Sequence, residues 1–250
     1  MTTTITDIKK LARRLMWSAH AIDLIDNTAT DSDMEFLHHA MVTELGCRED
    51  ARKARYRRQA GFPVIKTFTG YDWAHLSLPP ALSRDDLETC RFIDRCQNLV
   101  LFGPVGTGKT HLGIAIGQAA CARDIPVKYH TISDLVIRLT EAQRAGTLDK
   151  VLASINKAKL IILDEFGYVP IDRDAARLVF KIISDAYETR SVIITTNVAF
   201  SHWGSVLTDD QMAAAIIDRI AHHGHLLTFS GQSWRMTHAL MKTTKKDSPK

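Results

Sequence analysis

Cysteine is scarce in this chain, and long apolar runs are missing. The 250 residues include four cysteines, Cys47, Cys90, Cys96 and Cys121. None forms a CxxC pair, and none stands beside histidines at zinc-finger spacing, so zinc and dithiol redox motifs are unsupported. No stretch approaches 18 consecutive apolar residues, which argues against a helical membrane span and a membrane partner. The opening MTTTITDIKKLARRL has no apolar signal core and no small-residue cleavage site. A reducing, cytoplasmic setting is the expectation. Hydrophobic residues make up 45% and charged residues 24% of the chain. That profile excludes disordered, collagenous and coiled-coil classes.

Net charge is also low, at +4. Its distribution is uneven. Residues 48–66 hold seven basic groups (Arg48, Arg52, Lys53, Arg55, Arg57, Arg58 and Lys66) against Glu49 and Asp50. The remaining 231 residues carry 25 basic and 26 acidic groups. The basic character is therefore local.

Two regions separate by pattern, a helical N-terminal domain over 1–66 and an α/β domain over 67–250. Ile8, Leu11, Ala12, Leu15 and Met16 recur at helical spacing, with Thr6 or Asp7 as N-cap. A second helix is expected to start at Asp31–Asp33, carry Phe36, Leu37, Ala40, Met41 and Leu45, and end at Gly46. A third, basic helix is expected over 48–60, ending at Gly61. FPVIKTFTGYDWAHLSLPP then reads as an irregular junction.

Five short apolar runs follow: NLVLF (98–102), VKYHT (127–131), LIILD (160–164), VIITT (192–196) and HLLTF (225–229). Alternation with helical stretches predicts a five-stranded parallel sheet with helices on both faces. Ligands bind such sheets at the carboxyl ends of the strands.

After the first run comes GPVGTGKT, the G-x-x-x-x-G-K-[ST] phosphate loop, between a strand and a helix. Gly103, Gly106 and Gly108 permit tight turns that bring N–H groups onto phosphate oxygens. Pro104, Val105, Thr107 and His111 complete the expected ATP contacts. Lys109 is expected to reach the β and γ phosphates, and the Thr110 hydroxyl to ligate Mg²⁺. The helix beginning near Lys109 aims its positive end at the phosphates.

After the third run, Asp164 is placed to hold Mg²⁺, and Glu165 to polarise the attacking water. Asn197, after the fourth run, can bond that water or the γ phosphate, or simply form a turn. Arg219 precedes the fifth run and Arg235 follows it. An arginine near transferred phosphate stabilises developing charge, whereas a surface salt bridge is the alternative. His222, His223 and His225 read as solvated or structural, because no carboxylate or cysteine shares their spacing.

In this order, GPVGTGKT, LIILDEFG, TTN and then DR before the last strand, the chain resembles the AAA+ ATPases. More narrowly it resembles the IstB helper ATPases of bacterial insertion sequences and their relatives the DnaC helicase loaders. The IstB likeness covers nearly the whole chain, including ARYRRQAGFPVIKTF, DEFGY and GQSWR. It implies a Mg²⁺-dependent ATPase with Asn197 as sensor 1, Arg219 as an arginine finger acting in trans and Arg235 as a sensor 2 arginine. It also implies no C-terminal lid, which leaves Arg235 without its usual setting. The implied partners are duplex DNA, bound largely without sequence preference, the transposase IstA, and further copies of the chain.

Arg52, Lys53, Arg55, Arg57 and Arg58 are the first candidate DNA contacts, through phosphate neutralisation. A solvated helix face or a subunit contact is the competing reading. Arg138, Arg144 and Arg173 could line a channel in an oligomer. Two rivals share the nucleotide motifs: a DnaC-like loader that binds a helicase, and a P-loop small-molecule kinase. A kinase must keep water from the place where Glu165 would activate it.

Overall fold

The computed structural model describes residues 4–234. It divides into two compact units, Met1–Arg55 and Tyr56–Lys250. The boundary falls inside one helix.

The first unit is built from α1 (Ile5–Arg14), α2 (Ala19–Thr28) and most of α3 (Asp31–Ala60). Thr4 caps α1 in a reciprocal capping box with Asp7, so the helix starts slightly before the expected caps. Ser18 caps α2, a helix the sequence pattern did not announce. Ile8, Ala12, Leu15 and Met41 are buried, with Leu11, Ile22, Ile25, Leu37 and Leu45 packed around them. Lys9 pairs with Asp26 at 2.5 Å and Arg14 with Glu49 at 3.1 Å, tying the helices together at the surface.

Gly46 does not end a helix. α3 runs through it for 30 residues. The Glu44–Arg48 ion pair, 2.7 Å at i,i+4, spans the glycine, and Leu45 packs on the core. A helix interior tolerates one glycine at a cost of about 1 kcal/mol when its flanks are held. The chain does turn at Gly61, where φ is 79°.

The second unit holds a six-stranded sheet in the order β1-β6-β2-β5-β4-β3. The strands are β1 (Leu76–Ser77), β2 (Asn98–Phe102), β3 (Val127–Thr131), β4 (Leu160–Phe166), β5 (Ser191–Thr196) and β6 (Gly224–Phe229). The five expected strands are present and parallel. The sixth, β1, comes from the junction and pairs antiparallel to β6 through Leu76↔Phe229.

The connecting helices are α4 (Arg84–Glu88), α5 (Arg91–Asp94), α6 (Lys109–Ala122), α7 (Ile132–Arg144), α8 (Leu148–Ile155), α9 (Arg173–Ala186), α10 (Trp203–Leu207) and α11 (Asp210–His222). One core lies under α7, α9, α10 and α11 around Ile161, Leu163, Ile194, Phe166 and Trp203. The other lies under α6 around Leu99, Leu101, Ile162 and Ile193. Burial on both faces explains why these strands read as unbroken apolar runs. Among the described residues no helix is long and apolar enough to cross a membrane.

Candidate nucleotide site

The loop 103–110 leaves β2 at Phe102 and enters α6 at Lys109, with Gly108 as its left-handed N-cap. Its glycines answer to close packing. A Cβ on Gly103 would stand 2.4 Å from the Phe229 carbonyl oxygen, and one on Gly106 would stand 2.0 Å from Ser233 Oγ. Lys109 is 5% exposed, and its ammonium donates to the carbonyls of Gly103 at 2.8 Å and Pro104 at 2.7 Å. The Thr107 hydroxyl donates to Pro104 O at 2.8 Å. A buried ammonium, a glycine-rich loop and a helix start thus meet at one place, which is the chemistry of a polyphosphate cradle.

Asp164 lies near the carboxyl end of β4 and is 2% exposed. Burying a carboxylate is costly unless its lone pairs are met. Here Thr110 donates to Oδ1 at 3.0 Å, Thr195 also donates to Oδ1, and Tyr129 donates to Oδ2 at 2.6 Å. Burial first, and then this bond to Asp164, push the Tyr129 phenol far above its ordinary value, so it stays a donor. The Thr110 and Asp164 oxygens form a hard-oxygen pair suited to Mg²⁺.

The next residue sits at an irregularity within the strand. The β4–β5 register slips between Leu163 and Phe166, and Glu165 takes a left-handed φ of 60°. A bulge of this kind re-aims a side chain. Here Glu165 is exposed beside the buried Asp164, while the Glu165 amide donates to Thr195 Oγ1 at 3.0 Å. Left-handed backbone in a non-glycine residue is strained and concentrates at functional sites. Asn197 is exposed at the bend just after β5, the neighbouring strand.

Sequence reasoning did not single out Tyr129, Thr195 or Tyr71. Tyr71 packs 3.4 Å from the Cβ position of Gly108, and its ring lies 5.1 Å from His111. His111 Nε2 donates to Thr67 O at 2.9 Å. Trp73 and Phe68 extend this aromatic wall. On the other side, Trp234 N donates to Gly106 O at 3.0 Å, so the segment after β6 lies against the loop.

Arg219 is not near this cradle. It lies in the last turn of α11, where Ile220 O accepts from Asn98 at the opposite end of β2. Five residues of strand separate the two ends, about 16 Å. Its guanidinium donates to Ala215 O at 2.9 Å and lies over the Phe180 ring at 5.1 Å. It therefore cannot reach the phosphates of its own chain. Arg235 lies outside the described residues.

The candidate DNA arginines are scattered. Arg138 and Arg144 are exposed on α7, and Arg173 pairs with Asp209 at 3.3 Å. Arg52, Lys53, Arg55, Arg57 and Arg58 all lie on α3, the last three exposed.

The family profile described as IstB-like ATP binding protein matches residues 6–242. The chain belongs to the IstB family. Among IstB relatives, a protein named for ATP binding in insertion sequence IS21 of Pseudomonas aeruginosa is 33% identical over 224 residues, covering 88% of this chain and 83% of that protein. Its counterpart in IS5376 of Geobacillus stearothermophilus is 33% identical, covering 88% and 87%. Among solved structures, the DnaC helicase loader has a TM-score of 0.53 at 21% identity, covering 70% of this chain and 99% of that one. The AMPPCP-bound DnaA of Aquifex aeolicus has a TM-score of 0.51 at 21% identity, covering 58% and 44%. These likenesses show the AAA+ fold. This IstB chain is therefore an AAA+ ATPase that binds ATP.

Proposed function

We propose that this ATPase is an ATP-dependent DNA-binding regulator of transposition, which assembles on duplex DNA, deforms it and recruits the transposase IstA. The observation that carries the ATPase half is the strained Glu165 beside Asp164. The loop 103–110 would wrap the phosphates with its N–H groups, and Lys109 would exchange its carbonyl partners for β and γ oxygens. Mg²⁺ would be held by Thr110 and Asp164, and it supplies charge neutralisation on the phosphate oxygens. Glu165 would take a proton from the attacking water, with Asn197 orienting that water. Tyr129 and Thr195 hold Asp164 in place throughout. Arg219, too far from its own phosphates, would serve the site of a neighbouring copy, so catalysis would require assembly.

The DNA half rests on the basic stretch 48–66 and on relatives encoded within insertion sequences. Phosphate contacts of this type carry no base reading, so binding would be largely independent of sequence. The test measures particle size with ATP, with ADP, and with duplexes of increasing length. Assembly that needs ATP and grows with duplex length supports the scheme. A monomer under every condition rejects it.

A further inference from the structure

Far from the phosphate loop, the end of α11 brings together residues that spacing alone kept apart. Glu188, His222 and His223 each offer one ligand atom, and these atoms lie within 4.8 Å of one another. Glu188 comes from the turn between α9 and β5, and the histidines come from the end of α11. The sequence showed no carboxylate at ligand spacing because the carboxylate arrives through the fold.

We propose that Glu188, His222 and His223 form a site for a divalent transition metal of the zinc class. The donor set is two imidazoles and a carboxylate, which suits zinc and leaves a fourth position open to water. Three features support it. The ligands stand on anchored backbone: His223 O accepts from Asn98 N at 2.7 Å, which ties the end of α11 to β2. The Tyr187 hydroxyl is hydrogen-bonded to His222 Nδ1 at 2.9 Å, which fixes that ring as outer partners of metal ligands do. The Glu188 carboxylate already meets one of the imidazoles: His223 Nε2 is 3.3 Å from Glu188 Oε1. Arg219 lies one turn earlier on the same helix, its guanidinium donating to Ala215 O and lying over the Phe180 ring.

The test uses the full chain without a histidine tag, freed of metal by chelator and titrated with zinc chloride in a calorimeter. One saturable zinc per chain is expected. Cobalt in its place should give the visible absorption of a four-coordinate ion. Glu188→Gln, His222→Ala and His223→Ala should each weaken binding by about tenfold or more. His225→Gln, outside the cluster, should leave it unchanged. Thermal melts without metal check that each variant folds. Glu188 is exposed, so Glu188→Gln keeps the test decisive if a histidine variant unfolds. Absence of saturable binding, or equal affinity in parent and Glu188→Gln, overturns the proposal.

Discussion

The hydroxyl of Tyr129 meets the buried carboxylate of Asp164 at 2.6 Å. Replacing Tyr129 by Phe removes that donor and leaves a carboxylate oxygen short of a partner. Unsatisfied buried polar groups cost about 1–3 kcal/mol, and more when charged. Tyr129→Phe should therefore lower stability by at least about 1 kcal/mol in urea unfolding. Glu165→Gln tests a different property of the same strand end. The amide keeps the shape and loses the base, so ATP hydrolysis should fall by about 10²–10⁴-fold while ATP binding persists. In the proposed scheme this variant also stays on DNA longer than the parent. Equal release rates in the two proteins would remove the reset role assigned to hydrolysis. Gly103→Ala should be poorly tolerated, because the added Cβ would meet the Phe229 carbonyl, which belongs to the end of β6. These residues were unequally legible. Lys109, Thr110 and Asp164 follow from spacing within a motif. Tyr129 and Thr195 do not, because a hydroxyl at a strand end acquires its role only from the strand beside it.

At the scale of elements, the parallel strands were readable nearly to the residue, since burial on both faces leaves continuous apolar runs between turn signals. β1 was not, because two residues of a Pro-rich junction carry no period. α2 buries none of its residues fully, so its apolar stripe is weak. Gly46 shows how a local signal is overridden. If it capped a helix in the left-handed region, an added methyl would be strained. Inside a continuous α3, with nothing within 4 Å of its Cβ position, Gly46→Ala should instead stabilise the protein by about 0.5–1 kcal/mol. Denaturant unfolding decides between the two. β3 carries a pH-dependent element of its own. Burial, helped by Arg138 and Lys128, drives the His130 imidazole down to about 4, and its Nε2 has no hydrogen-bond partner among the described residues. Asp134 opposes this weakly. The unfolded chain takes up this proton near pH 6.5 and the folded chain only near pH 4. Stability should thus be full above pH 6.5 and decline as pH falls toward 4, levelling off below it. His225, also lowered first by burial, acts in the same direction. His130→Gln should flatten the decline, and melting temperatures across this range would show it.

For the whole molecule, the decisive quantity is how a modest charge acts on DNA. A net +4 per chain is too little to hold a duplex by itself, but it is concentrated in residues 48–66. Assembly would repeat that stretch once per subunit, so affinity would rise with the number of copies bound. Each phosphate neutralised also releases counterions, which makes binding fall steeply with salt. The triple substitution Arg55→Ala, Arg57→Ala, Arg58→Ala should therefore carry a specific signature. Binding should weaken to a similar degree on duplexes of different sequence. The slope of log affinity against log salt should become shallower by about one for every phosphate that is no longer neutralised. Neither ATP binding nor the phosphate loop should change, since no residue of 103–111 is altered. Arg173→Ala should matter less, because its guanidinium is already engaged by Asp209. An unchanged salt slope in the triple variant would mean that α3 does not follow the backbone of DNA, and its arginines would then belong to an interface with protein.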